Sequence, residues 1–271
     1  MRFGPRDIVG DVTNSMTLAL DGDDTLWHNE TIFRDTQDWY RELLVASGVG
    51  PDRIHDSLIA TERRNLGDFG YGIKGFMLSL IQTGIDLTNG TLPNSAIVDI
   101  IERGRNMINH PTALIDGVSE TLEILRGRVR CLLLITKGDL LDQEAKVARS
   151  GIADHFDDVH IVTEKDSATY QRILDRHEIR PGQFVMVGNS LPSDVLPAIE
   201  LGGHGIHIPY RITWEIETVA VTDRTPNHLT LDSIAELPEA LASLATQHPQ
   251  LRTSRTGNDG PGSVGARGHL E

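Results

Sequence analysis

A doubly wound α/β fold with a mainly parallel sheet is what the sequence predicts. The first observation is a series of short Val-, Ile- and Leu-rich runs, each ending abruptly in polar residues. The second is helical spacing between those runs, and alternating strand and helix builds a parallel sheet covered on both faces. The third is a gap of about a hundred residues between the first two runs, far longer than an ordinary crossover. It predicts an α-helical cap inserted after the first strand.

The first run, residues 16–20, ends at Asp21, and the second, 129–135, ends at Thr136. Residues 159–162 give way to Thr163, Glu164 and Lys165, and 184–187 to Gly188 and Asn189. Residues 205–208 make a fifth strand and 228–231 a sixth, at the edge. Between them, 119–125 sets Leu122 and Leu125 on one side, and 142–149 mixes acids and bases as a solvated helix would. Residues 167–177 bring Tyr170, Ile173 and Leu174 onto one face, and 195–201 forms another helix. The long gap holds four helical stretches: 36–46, 52–65, 73–83 and 95–107. The predicted organisation is a core of 1–30 and 112–245, a helical cap of 31–111, and a disordered tail of 246–271. That tail is rich in Gly, Ser, Arg and Pro and cannot bury enough surface to order itself. A cap in this position sits over the C-terminal edge of the sheet, where such folds bind ligands.

The 271 residues carry 25 Lys and Arg against 39 Asp and Glu, a formal charge of −14. Nucleic acid is excluded as a general partner, because affinity for a phosphate backbone needs many cationic contacts. An anionic substrate needs local cations or a metal. The single Cys131 excludes a disulfide framework and every Cys-rich zinc module. No apolar stretch is long enough to span a membrane, and residues 1–7 are followed by polar residues, so no secretory signal is predicted. The expected location is the cytoplasm, without a membrane partner. Oligomeric state is not legible.

The strongest local signal is Asp21-Gly22-Asp23-Asp24-Thr25 at the end of the first strand. Two acids on one side of a turn can divide the work, one attacking and one moving a proton, or both can hold a metal. Thr136 adds a hydroxyl at the second strand end and Lys165 a cation at the third. Asn189, Ser190 and Asp194 add oxygens suited to a hard divalent ion after the fourth. Each alone has an ordinary role, such as a helix cap or a solvated charge. In this order they outline a magnesium-dependent phosphate site. Rival motifs fail: the 11 His contain no H-E-x-x-H, and His204 and His207 fall on opposite faces of a strand. Gly188-Asn189-Ser190-Leu191-Pro192 lacks the second Gly of a serine-hydrolase elbow.

Across residues 16–240 the chain resembles the haloacid dehalogenase superfamily of hydrolases. Its four motifs match in order: Leu20-Asp21-Gly22-Asp23-Asp24-Thr25, Leu134-Ile135-Thr136-Lys137-Gly138-Asp139, Thr163-Glu164-Lys165-Asp166 and Gly188-Asn189-Ser190-Leu191-Pro192-Ser193-Asp194. The helical cap resembles that of the family's small-molecule phosphatases. The resemblance implies that Asp21 is the nucleophile and becomes a phospho-aspartate, and that Asp23 is the acid and base. Thr136, Lys137 and Lys165 would bind phosphoryl oxygens. Mg2+ would be held by Asp21, the main-chain carbonyl of Asp23, and Asp194 with or in place of Asn189. Asn189 departs from the Asp of many relatives and removes one charge from that shell.

The second acid, Asp23, favours phosphate esters, because a departing halide needs no proton. The expected substrate is a small phosphorylated metabolite: a sugar phosphate, a nucleoside monophosphate or a cofactor monophosphate. The alternatives are a phosphomutase with the same nucleophile and a non-catalytic binding protein that kept the fold. In the cap, Arg63, Arg64, Tyr71 and Lys74 are candidate substrate contacts, with Gly67, Gly70, Gly72 and Gly75 suggesting a bending loop. Trp27 and His28 are candidates for the entrance.

Overall fold

The computed structural model describes residues 15–212, 214 and 227–252. Thr17–Leu20 forms β1, and all four residues are buried, as a central parallel strand requires. β1 is flanked by β2 (Cys131–Lys137) and β4 (Phe184–Gly188). β3 (Asp158–Val162) lies outside β2, and β5 (His204–His207) and β6 (His228–Thr230) lie beyond β4. All five pairings are parallel, in the order β3-β2-β1-β4-β5-β6. The direction of winding reverses between β1 and β4, and the crevice above such a reversal is where this topology places its ligand.

Side chains alternate across the sheet. Leu18, Leu20, Leu132, Leu134, Val185 and Val187 pack on one face against Leu122 and Leu125 of α5 (Val118–Leu125) and Leu237 and Leu241 of α9 (Leu237–Gln247). Ala19, Leu133, Ile135 and Met186 pack on the other face against Tyr170, Ile173 and Leu174 of α7 (Ser167–Arg176) and Ala198 of α8 (Leu196–Glu200). Cys131 is half-buried in β2, and burial with nearby Asp157 pushes its thiol up to about 11.

Between β1 and β2 run α1 (Glu30–Ala46), α2 (Pro51–Phe69), α3 (Ile73–Leu87) and α4 (Asn94–Ile108). They enclose their own apolar cluster, including Tyr40, Leu44, Leu58, Phe76, Leu80 and Ile100. All four predicted stretches lie inside these helices, which extend further at their ends. α1 starts earlier because the Asp24 carboxylate accepts the backbone N–H groups of Asn29 and Glu30 at 2.9 and 3.0 Å. The cap glycines divide: Gly67 and Gly75 lie inside α2 and α3, and only Gly70 and Gly72 form the bend between them.

α6 (Leu140–Ser150) follows β2, and its N-terminus is capped by Asp139. Helix α9 is not among the predicted helices. It also corrects the start of the tail: Thr246 and Gln247 complete α9, and Leu251 is fully buried in the core. Residues 253–271 of the predicted tail, and 1–14 of the predicted core, lie outside the described residues. Among the described residues no helix is long and apolar enough to cross a membrane.

Candidate active site

A cavity of about 320 Å³ lies over the C-terminal edge of the sheet, between the strand ends and the four-helix insertion. Asp21 reaches it because β1 ends there, its own N–H continuing the ladder to the Val187 carbonyl at 2.9 Å. Its Oδ1 is paired with the Lys165 ammonium, and its Oδ2 accepts the Thr25 hydroxyl at 3.2 Å. Lys165 donates equally to Asp194 Oδ1 at 2.7 Å, so one buried cation bridges two buried acids.

Asp194 sits in the first turn of a π-helical segment, Leu191–Val195, whose first residues are held by Ser190 Oγ on the Ser193 N–H. Such turns are frequent at functional sites, and here Asp194 is fully buried, its Oδ2 accepting the Ser190 N–H at 3.0 Å. The approach requires Gly188, where a Cβ would stand 2.1 Å from that same Oδ2. Asn189 follows β4, and its Oδ1 lies 3.4 Å from the Thr25 hydroxyl.

Asp23 also lines the cavity. Its oxygens accept from Trp27 Nε1 at 2.6 Å, Gln143 Nε2 at 2.9 Å and Lys146 Nζ at 3.0 Å. Lys146 also reaches Asn29 Oδ1 at 2.8 Å and lies 3.3 Å from Asp142. Neither Gln143 nor Lys146 is a candidate in the sequence, where 142–149 reads as a solvated helix. The structure turns the Asp142, Gln143 and Lys146 face of α6 inward and buries it.

Burial, opposed by Lys165 and reinforced by Asp194, pushes the Asp21 carboxyl up to about 7. Burial alone would lower Lys165, but Asp194 and Asp21 outweigh it and hold its ammonium above the usual lysine range. Lys146 is raised in the same way, Asp23 and Asp142 outweighing its burial. Asp24, buried beneath α1, is pushed up to about 7 by burial, the two backbone N–H groups opposing. The donors around Asp21 are hard oxygens: two buried carboxylates, the Asn189 amide and the local main-chain carbonyls. Two acids sharing one lysine leave negative charge that a divalent ion would neutralise, so the donor set fits Mg2+.

Several expected residues stand elsewhere. Thr136 is buried, its hydroxyl donates to Gln143 Oε1 at 3.2 Å, and it is not among the cavity-lining residues. Lys137 does line the cavity, donating to Ser193 Oγ at 2.9 Å with its ammonium 4.0 Å from the Tyr71 ring centre. Tyr71 lines it too and donates to Glu164 at 2.9 Å, joining the insertion to the third strand end. Lys74 pairs with Asp139 at 2.9 Å outside the cavity, a second such link.

Arg63 and Arg64 are exposed and do not line the cavity, which corrects their expected role. The phase of α2 turns Glu62 and Asn65 inward instead. Glu62 accepts Trp214 Nε1 at 3.2 Å, and Asn65 donates to Ser79 at 3.1 Å. Trp27 is fully buried beneath Gly22 and is no entrance residue, and His28 Nδ1 meets Tyr210 Oη at 2.7 Å outside the cavity.

The family model of haloacid dehalogenase-like hydrolases matches residues 16–202. A haloacid dehalogenase-like family hydrolase from Xanthomonas campestris is 37% identical at a TM-score of 0.77, covering 87% of this chain and 94% of its own. A 2-haloacid dehalogenase from Pseudomonas syringae pv. Tomato DC3000 is 23% identical at 0.54, with coverage of 84% and 99%. A predicted phosphoglycolate phosphatase from Haemophilus somnus 129pt is 14% identical at 0.57, with coverage of 84% and 98%. No curated protein sequence matches the chain. The last two structures share the fold alone, and their names divide between carbon–halogen and phosphate chemistry. With the family model spanning both strand ends that carry Asp21 and Asp194, and a relative at 37% identity over most of its length, the chain belongs to the haloacid dehalogenase-like hydrolases.

Proposed function

We propose that this hydrolase is a Mg2+-dependent phosphatase acting on a small-molecule phosphomonoester through a phospho-aspartate at Asp21. The observation that carries the reading is Asp23, a second carboxyl group lining the same cavity and held by Trp27, Gln143 and Lys146. A halide departs without a proton, whereas an alkoxide leaving a phosphate ester needs one.

Asp21 attacks phosphorus, forming the acyl phosphate as the P–O bond to the leaving group breaks. Asp23 delivers a proton to the departing oxygen, then takes one from the water that attacks the phospho-aspartate, so Asp21 is regenerated and inorganic phosphate released. Lys165 offsets charge on Asp21 and on the incoming phosphoryl group. Lys137, also in the cavity, is the second cation available to the phosphoryl oxygens. Mg2+, held by Asp21, Asp194, Asn189 and the Asp23 carbonyl, would supply Lewis-acid neutralisation of the phosphoryl charge. The four-helix insertion acts as a cap that limits the substrate to a small metabolite, and Glu62, Asn65 and Ser79 suit a hydroxylated leaving group.

Phosphate release with Mg2+ is the test, run on an aryl phosphate, a panel of phosphorylated metabolites and a short 2-haloacid. Turnover of phosphates without added sugar bisphosphate, abolished in Asp21→Asn, is expected. Asp23→Asn should slow alkyl phosphates on the order of 10²- to 10⁴-fold and aryl phosphates less in the cleavage step, because a phenolate leaves unaided. Halide release without phosphate release would overturn the reading.

A further inference from the structure

The edge strand β3 begins with Asp158, and two residues on, facing the same side, is His160. Helix α7 runs back along the sheet and ends at Arg176, which sets His177 beside them. His160 Nε2 and His177 Nε2 lie 2.9 Å apart. Asp158 Oδ2 is 3.3 Å from His177 Nε2 and 3.5 Å from His160 Nε2. Three potential ligand atoms therefore lie within 4.8 Å of one another, and none of the three residues lines the cavity.

Hydrogen bonding alone explains this triangle poorly. A proton between the two rings accounts for one edge, but the carboxylate edges are longer than a charge-assisted bond of about 2.7–2.9 Å. The two carboxylate edges, at 3.3 and 3.5 Å, have the spacing of ligands around a common ion, and the two imidazole nitrogens, 2.9 Å apart, would part by a few tenths of an ångström to admit it. An ion about 2.0–2.1 Å from nitrogen and oxygen ligands sets those ligands about 3.3–3.4 Å apart. The side chains of His160, His177 and Asp158 are 9%, 20% and 33% exposed, which leaves a solvent path for the ion and for a water as fourth ligand. Arg176, 3.9 Å from Asp158 and 71% exposed, is a weak competitor that can swing away.

We propose that Asp158, His160 and His177 bind a borderline divalent transition ion such as zinc, tying the end of α7 to the edge strand. Two imidazoles and one carboxylate select this class over Mg2+, which prefers oxygen ligands and octahedral geometry. The site is independent of the catalytic reading, since none of its three residues lines the cavity that holds Asp21, Lys165 and Asp194.

The test uses the full chain, purified without a histidine tag and stripped by chelation, titrated with Co2+ and with Zn2+. Co2+ should give the intense visible bands of a tetrahedral ion at one equivalent, and Zn2+ should abolish them by displacement and raise the melting temperature. His177→Gln, which keeps polarity and approximate volume, and His160→Ala should each remove the bands and the melting shift. Asp21→Asn should keep both. Absence of the bands, or bands unchanged in either histidine variant, would overturn the proposal, the latter placing the ion elsewhere.

Discussion

Replacing Lys165 by Met tests whether charge, rather than packing, holds the floor of the cavity. The lysine is 2% exposed in its side chain and bridges Asp21 and Asp194, themselves 8% and 1% exposed. Breaking a buried ion pair from one side costs about 3–5 kcal/mol, because the remaining charge has no partner. Here two like charges remain. The cost is limited by protonation, and that limit gives the prediction a pH signature. With Lys165 present the Asp21 carboxyl is already raised from 3.8 to about 7. A raised folded-state value means that between these limits the folded protein binds more protons than the unfolded chain, so stability falls as pH rises through this window and then levels. Lys165 is one of the influences lowering that value, so Lys165→Met moves it higher and the fall continues above pH 7. Urea unfolding of metal-free protein should therefore show a larger loss at pH 8 than at pH 6, about 3 kcal/mol or more at pH 8. Adding Asp194→Asn to Lys165→Met removes one of the unpaired charges and should restore at least ~1 kcal/mol. A loss equal at both pH values and untouched by Asp194→Asn would show that packing of the lysine stem carries the effect.

Gly22→Ala places a Cβ 2.6 and 2.9 Å from ring carbons of Trp27, so the indole must move and release Asp23; thermal melts should show a loss of about 1–3 kcal/mol, with phosphate release impaired. Asp24→Asn keeps an acceptor for the Asn29 and Glu30 N–H groups but removes a buried acid raised to about 7, so stability should rise on the order of 2–4 kcal/mol at pH 8 and little at pH 4, measured by calorimetry. Lys146→Met frees Asp23 from its buried cation and should lower kcat on the order of 10- to 100-fold with KM nearly unchanged, read from steady-state phosphate release.

The strand ends were legible because a strand buried on both faces has no polar residues until it reaches the edge, so Asp21, Lys165 and Asn189 stand out where apolar runs stop. Helix faces were less legible. The Asp142, Gln143 and Lys146 stripe of α6 looks like a solvated surface, since polar residues at helical spacing read alike whether they meet water or other polar groups. The same ambiguity misplaced Arg63 and Arg64: with no second helix to set the phase of α2, neighbours of Glu62 and Asn65 look equally available. Thr136 was located, but the direction of its hydroxyl depends on Gln143, a residue seven positions on. His160 and His177 meet only because α7 returns along β3, a pairing that periodicity does not encode.

Charge at the cavity makes the case for a metal more strongly than the motifs do. Six acids line it, Asp21, Asp23, Asp24, Glu30, Glu62 and Asp194, against the lysines at 137, 146 and 165. Lys165 is shared by two of those acids, and Lys146 is paired with Asp23 and Asp142. A phosphate dianion entering this cavity meets a net negative wall, in a chain whose formal charge is −14. Asp21 and Asp24, both near 7, register that excess, since neighbouring carboxylates add to burial in holding their protons on. A divalent ion beside Asp21 reverses the balance and should pull its carboxyl down, freeing the nucleophile at neutral pH. Raising Mg2+ from limiting to saturating should thus move the acid limb of the kcat/KM profile below pH 7, and chelation should move it back. An acid limb that stays fixed while activity scales with Mg2+ would mean that the ion serves the phosphoryl oxygens without neutralising Asp21.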